Sequence, residues 1–234
     1  MNRGARAALA MLLVGCSSLD ELGDGVIALE ILPPNPPIIE FGDTATFVAR
    51  ALDANGDSVA ADIRWVTPDT TLTIVDTAAG RVVGRYPAVS GRLQAQYGTL
   101  QSGFTTLTVE ARADTIVVPG PVEDTVEVDA TASVPFDARL ESFAPAGPLA
   151  GRSLIYEIVQ PVFADTASRT VELSGGGLVD TVQTGAEGTP TTPVAVVRRT
   201  GFTAPPSVTV QVRGVQRRGT PVPGSGQAFT VVFF

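Results

Sequence analysis

Apolar and polar residues alternate with a period of two over most of the chain, in short Val/Thr-rich runs punctuated by Gly, Pro, Asn and Asp. Beyond position 16, no stretch of about 12 residues carries the 3.6-residue apolar stripe of an amphipathic helix, so the pattern predicts an all-β protein. The alternation opens at Val26, with Ile27, Leu29 and Ile31 on one face. It stops at Pro33-Pro34-Asn35-Pro36-Pro37, where residues lacking an amide donor end the strand and force an extended crossing. Residues 44–52 predict a strand with Ala45, Phe47, Ala49 and Ala51 on one face, and Asn55-Gly56 marks a hairpin turn after it. Residues 62–66, 72–75, 81–83, 92–97 and 104–109 complete about seven short strands within roughly 85 residues, the count and spacing of a two-sheet sandwich.

A short strand over 115–118 and the break Pro119-Gly120-Pro121 place a domain boundary within 111–122. Alternation resumes at Val126 and Val128, and again at Val134, Phe136, Ala138 and Leu140. Leu154, Tyr156 and Ile158 share a face, and further strands are expected at 171–173, 179–182, 194–197, 208–212 and 229–233. The final Val231-Val232-Phe233-Phe234 fits a last sandwich strand better than a membrane barrel, because barrel-length strands and aromatic girdles are missing. The chain therefore predicts a first domain over 25–112 and a second over 113–234, each long enough for its own core.

Residues 25–110 resemble the bacterial immunoglobulin-like group 2 domains. The matching features, in order, are Leu29, Ile31 and Pro33, then Gly42-Asp43-Thr44 and Ala51-Leu52-Asp53-Ala54-Asn55-Gly56. Trp65-Val66-Thr67-Pro68-Asp69, Val75-Asp76 and Gly80-Arg81-Val82-Val83-Gly84 follow. One departure is Tyr86-Pro87-Ala88-Val89-Ser90-Gly91, where the family has a tighter glycine turn. The second half resembles invasin-type (group 1) domains through Pro148-Leu149-Ala150-Gly151-Arg152 and Thr184-Gly185-Ala186-Glu187-Gly188-Thr189, with 165–177 longer than that family's norm. The resemblance implies two tandem immunoglobulin-like β-sandwiches.

Composition narrows the chemistry. The sequence has no histidine and no lysine, and Cys16 is its sole cysteine. The usual general base is missing, as are the Ser-His, Cys-His and Ser-Lys nucleophile arrangements and the ordinary ligands of Zn, Cu and haem. Neither enzyme activity nor a cofactor is expected. Carboxylate chemistry alone would need two acids facing a groove, one of them with a raised pKa. The alternating oxygens of Asp53, Asn55 and Asp57 are a low-ranked Ca²⁺ candidate, with a plain hairpin turn as the favoured reading. Asp69, Asp76 and Asp180 stand at strand ends, where such side chains commonly satisfy backbone groups, and Trp65 is expected in the core.

The start of the chain says where the protein resides. Arg3 and Arg6 precede a short apolar run over 7–14 and Leu13-Val14-Gly15-Cys16. The run is too short for a bilayer core of about 30 Å. These features resemble a bacterial lipoprotein signal peptide with its lipobox. The resemblance implies cleavage after residue 15, a lipid on Cys16, a tether over 16–24 and, with Ser17 next, release to the outer membrane. Losing Arg3 and Arg6 leaves 14 arginines against 24 acidic residues, a net charge of −10 that disfavours nucleic acid. The expected protein is a non-catalytic, lipid-anchored envelope module for binding or adhesion, its partner an envelope protein or a surface glycan. A passive scaffold or spacer is the alternative. Cys16→Ala should leave an uncleaved or soluble protein that no longer enters the detergent phase on cloud-point partitioning. Unchanged partitioning would refute the anchor.

Overall fold

A computed structural model describes residues 25–234. Cys16 and the segments over 1–15 and 16–24 lie outside the described residues, which contain strands and no α-helix. Eleven strands make up the first half: β1 (Ala28–Leu32), β2 (Ile38–Glu40), β3 (Thr44–Thr46), β4 (Val48–Leu52), β5 (Ser58–Val59), β6 (Arg64–Val66), β7 (Leu72–Asp76), β8 (Arg81–Gly84), β9 (Val89–Tyr97), β10 (Leu100–Gln101) and β11 (Thr105–Glu110).

Their pairing is that of an immunoglobulin sandwich. On one side, β1 pairs antiparallel with β4, β3 with β8, and β8 with β7. On the other, β6 pairs antiparallel with β9 and β9 with β11, while β2 joins β11 in parallel. Residues 44–52 split at Phe47: β3 belongs with β8 and β4 with β1, and the Phe47 amide bonds the Gly80 carbonyl between them. The expected inward face survives the split, since Phe47 and Ala51 are buried and Ala45 and Ala49 pack on the core. That core also holds Ile39, Trp65, Leu72, Val82, Leu93, Ala95, Leu107 and Val109.

The second half contains β12 (Thr115–Val117), β13 (Glu123–Val126), β14 (Arg139–Phe143), β15 (Ala146–Pro148), β16 (Ser153–Gln160), β17 (Val171–Leu173), β18 (Val179–Gln183), β19 (Val196–Arg198), β20 (Ser207–Gly214) and β21 (Gln227–Phe233). One sheet runs β13-β21-β20-β16-β18, again with its first strand parallel to the last strand of the chain. Opposite it lie β12-β14-β15 and the pair β17-β19, which a bridge from Ala132 to Val197 joins to the run before β14. A separate apolar cluster from Ala113 to Phe233 fills this sandwich, with Phe136 against Tyr156 and Phe229 at its centre.

Four expectations need correction. Ile27 is 57 % exposed and Val26 is buried, because the ladder starts at Ala28 and the pleat does not extend back in phase. Val128 is exposed beyond the end of β13. Val134 is exposed because Ser133 takes the inward place and bonds Val196, while the Val134 amide goes to the Asp124 carboxylate. Pro135, lacking an amide, follows where the alternation breaks. The Pro119-Gly120-Pro121 break falls within the second sandwich, since Thr115–Val117 before it pairs with 139–141. It does what residues 33–37 do in the first: the prolines carry the chain from a strand of one sheet to a strand of the other.

The loop that departs from the group 2 pattern has a local explanation. Ala88 takes the left-handed conformation (φ +62°) where a glycine would be unstrained, and β9 already begins at Val89. Gly91 is a strand residue facing Leu72, not a turn glycine.

Trp65 is 3 % exposed, stands 6.1 Å from the Phe47 ring, and covers Gly80 so closely that a Cβ there would lie 2.6 Å from the indole nitrogen. Removing a large buried aromatic side chain costs about 3–5 kcal/mol. Trp65→Ala should therefore sharply lower the melting temperature of the first sandwich in calorimetry, and retained stability would mean the indole packs elsewhere.

Candidate functional site

The sites singled out from sequence do not converge. The Asp53 carboxylate accepts the amides of Asn55 and Asp57 at 2.8 and 2.9 Å, and the Asp57 carbonyl accepts the Asp53 amide, closing the hairpin between β4 and β5. These bonds, that from Asp57 foremost, hold the Asp53 pKa below the usual carboxylate value. No group of three or more His, Cys, Asp or Glu placed to hold a metal occurs among the described residues. Asp76 caps the turn at Ala78 and Ala79, and Asp69 makes a two-pronged ion pair with Arg92, which its sequence position did not reveal. Asp180 lies within β18, against Gly175.

The densest arrangement of charge lies where the two sandwiches meet. The chain leaves β11 at Glu110 and enters β12 at Thr115, so four residues connect the cores. β2 and β11 end side by side at Glu40 and Glu110, presenting both carboxylates at this pole. The second sandwich answers with two loops, one before β16 carrying Arg152 and one between β20 and β21 carrying Arg217 and Arg218.

Arg152 Nη2 lies 3.1 Å from Glu40 Oε1 and 3.0 Å from Glu110 Oε2, and donates to the Ala111 carbonyl at 2.7 Å. Arg217 forks onto Glu110, and its backbone amide donates to Glu40 Oε2 at 3.1 Å. The Glu40 side chain is 0 % exposed and that of Arg152 is 7 % exposed. Glu40 Oε1 sits at ion-pair distance from Arg152 without the alignment of a hydrogen bond from it. Burial raises the Glu40 pKa, and the Arg152 charge and the Arg217 amide only partly oppose it. Burial likewise lowers the Arg152 pKa, against the pull of Glu40 and Glu110.

The linker is held as firmly. Gln216 donates to the Ala113 carbonyl, Asp114 accepts Arg112 at 2.6 Å and the Phe143 amide at 2.7 Å, and Arg218 reaches Asp43 at 3.5 Å. Arg152 is itself fixed: its amide donates to Thr184 Oγ1, its carbonyl accepts the Thr184 amide, and Gly151 before it turns at φ +68°. Clefts of about 350 and 340 Å³ flank the cluster, one along Val89, Ser90 and Leu149, the other along Pro34, Pro36 and Ile38. Two carboxylates thus meet on one guanidinium, but Glu40 exposes no atom to a substrate and each acid faces arginine. The arrangement docks surfaces and offers no general acid–base pair.

Sequence reading missed this cluster. A charged Glu40 inside the apolar run Ile38-Ile39-Glu40-Phe41 was its one local signal.

No family model matches the chain, and no curated protein matches it. Solved structures do align. The adhesin InvE of Yersinia pseudotuberculosis is 16 % identical, with 90 % of this chain and 61 % of that one covered at a TM-score of 0.37. Domains 4 and 5 of the S-layer protein SbsC are 15 % identical over 89 % of this chain and 98 % of that one (TM-score 0.32). The D00-D0 domain of intimin is 12 % identical over 88 % and 99 % (TM-score 0.30). The chain thus spans less than two thirds of the InvE structure.

Breaking a buried ion pair from one side costs about 3–5 kcal/mol, unless the surfaces part and let the remaining charge back into water. Arg152→Met should therefore separate the sandwiches, splitting one thermal transition of the full-length protein into two. Adding Glu40→Gln should restore most of the coupling. If Arg152→Met melts as the parent does, the pair does not hold the junction.

Proposed function

We propose that the protein is a non-catalytic envelope module, anchored by lipid on Cys16, that projects two immunoglobulin-like domains as one rigid unit for binding or adhesion. In this reading residues 16–24 are the tether, 25–112 a group 2-like domain and 113–234 an invasin-type one. The anchor lies in the outer membrane, and the partner is an envelope protein or a surface glycan. The observation that carries the rigid-unit part of the reading is the clamped junction. β1 starts beside the end of β4, at the pole opposite the one where β2 and β11 end. The chain therefore enters the first sandwich at one pole and leaves at the other, and a tether at residue 25 places the second sandwich outermost. Four linker residues tied by Arg152 and Gln216 leave little freedom between the two. The absence of histidine and lysine from the sequence supports a non-catalytic role.

A clamped junction suits a passive spacer equally well, so the partner decides between the two. Amine-directed crosslinkers have no lysine to react with, and a photoreactive residue placed in the outer loops avoids the problem. Crosslinking in intact envelopes should give one dominant adduct that competes with unlabelled protein. A ladder of scattered neighbours would establish the spacer instead.

A further inference from the structure

Residues 25–40 cross the whole first sandwich, entering at one pole through β1 and reaching the junction at the end of β2. Residues 41–110 build the rest of that sandwich and return to the same pole at the end of β11. β2 and β11 run parallel over Ile38–Glu40 and Thr108–Glu110. The Thr108 amide closes this ladder at one end on the Pro37 carbonyl (3.0 Å), and the Phe41 amide closes the other on the Glu110 carbonyl (2.8 Å). Pulling the entry pole away from the second sandwich draws β2 one way and β11 the other. Parallel strands so loaded slide past each other, and their bonds take the load together instead of breaking in turn.

Where this short ladder ends, the second sandwich grips the same stretch of chain. Arg152 Nη2 and the Arg217 amide both meet the Glu40 carboxylate, and Arg218 reaches Asp43 just beyond it. β11 moves with the second sandwich, because the four residues between them are held by Arg152 at the Ala111 carbonyl and by Gln216 at the Ala113 carbonyl. Arg152 and Arg217 also hold Glu110 at the tip of β11. The displacement that parts β2 from β11 therefore also parts Glu40 from its arginines. Ladder and charged contacts resist one motion in parallel.

We propose that the junction is a load clasp: it extends the β2–β11 ladder into the second sandwich, so that tension passes directly between that sandwich and residues 25–40. Residues 41–110 then stay out of the load path until the clasp gives way. The proposal rests on the reading of a chain anchored near its start with its partner on the outer pole.

Burial suits the contact to that task. An exposed ion pair exchanges its partner for water as it stretches, so it adds little resistance. The Glu40 and Arg152 side chains are 0 % and 7 % exposed, and drawing them apart leaves two charges uncompensated until water is admitted. The ladder they reinforce is also the shorter of two. Its counterpart in the second sandwich, β13 with β21, runs one residue pair longer and is closed by the Thr230 amide on Val122 and the Phe234 amide on Val126. That second ladder serves as an internal control.

The test pulls single molecules of the full chain at constant force, held at the Cys16 thiol of unlipidated protein and by a tag at the other end. Release of residues 25–110 frees about 300 Å of chain and release of 115–233 about 400 Å, so the two sandwiches are told apart by length. Waiting times at fixed force report unfolding rates. Combining Arg152→Met with Arg217→Met should shorten the wait for the shorter release by about tenfold to a hundredfold and leave the longer one unchanged. Arg217→Met alone, at a side chain 41 % exposed, should shorten it less. An unchanged wait in the double variant overturns the clasp, and the rigid unit survives if that variant still melts in two separate transitions. If it melts as the parent does, the rigid unit falls too. Equal shortening of both releases marks general destabilisation and also overturns the clasp.

Discussion

The placing of one enclosed carboxylate sets the relation between the two halves of this molecule. Glu40 is buried where the second sandwich meets the first, and the facing surface supplies both its cation and the amide at its other oxygen. The amide hydrogen bond tolerates a shift of no more than a fraction of an ångström, since such contacts weaken steeply outside about 2.7–3.2 Å. Two loops of the second sandwich and the ends of two strands of the first must therefore be positioned together. Thr184 does this for Arg152: its hydroxyl accepts the Arg152 amide and donates to the Leu149 carbonyl, so the loops at 149–152 and 184–189 form one support.

The repeated topology explains why such a junction can form at that pole. In each sandwich a proline-bearing crossing carries the chain between sheets, and the next strand lies parallel to the last. Chain entry and exit thus fall at opposite poles, and the exit pole of the first unit presents the ends of two parallel strands. The register of this parallel pair sets Glu40 opposite Glu110. Two adjacent carboxylates repel each other unless cations intervene, and Arg152 and Arg217 fill that need.

Much of the fold was legible in the sequence because strands of a two-sheet sandwich announce themselves by alternation. The inward faces of residues 44–52 and 154–158 followed from period two alone. What failed did so where pairing, not pattern, decides. Nothing in the 44–52 alternation marks the transfer from one neighbour to another at Phe47, and β2 is three residues long behind a proline run. A proline break looks the same between domains as between strands, which is why Pro119-Gly120-Pro121 suggested a boundary. The junction cluster was illegible for a deeper reason: Glu40, Glu110, Arg152 and Arg217 are spread over most of the chain, and isolated charges at loop and strand ends are ordinarily solvated.

Why charge, where an apolar contact would serve? Replacing a buried ion pair by well-packed apolar side chains is often neutral or stabilising by about 1–4 kcal/mol, so docking strength alone does not account for the cluster. Register does. Apolar surfaces slide over one another at little cost, whereas a guanidinium held against two carboxylates and a carbonyl has one favourable placement. The outer parts of the cluster add a second constraint: Arg217 and Arg218 are each more than 40 % exposed, so they remain hydrated if the surfaces part and expose no adhesive patch. A chain with 24 acidic residues and no lysine uses arginine for this: Arg217 forks onto Glu110 while Arg152 meets acids from two strands through one nitrogen, and together they convert a four-residue linker into a fixed angle.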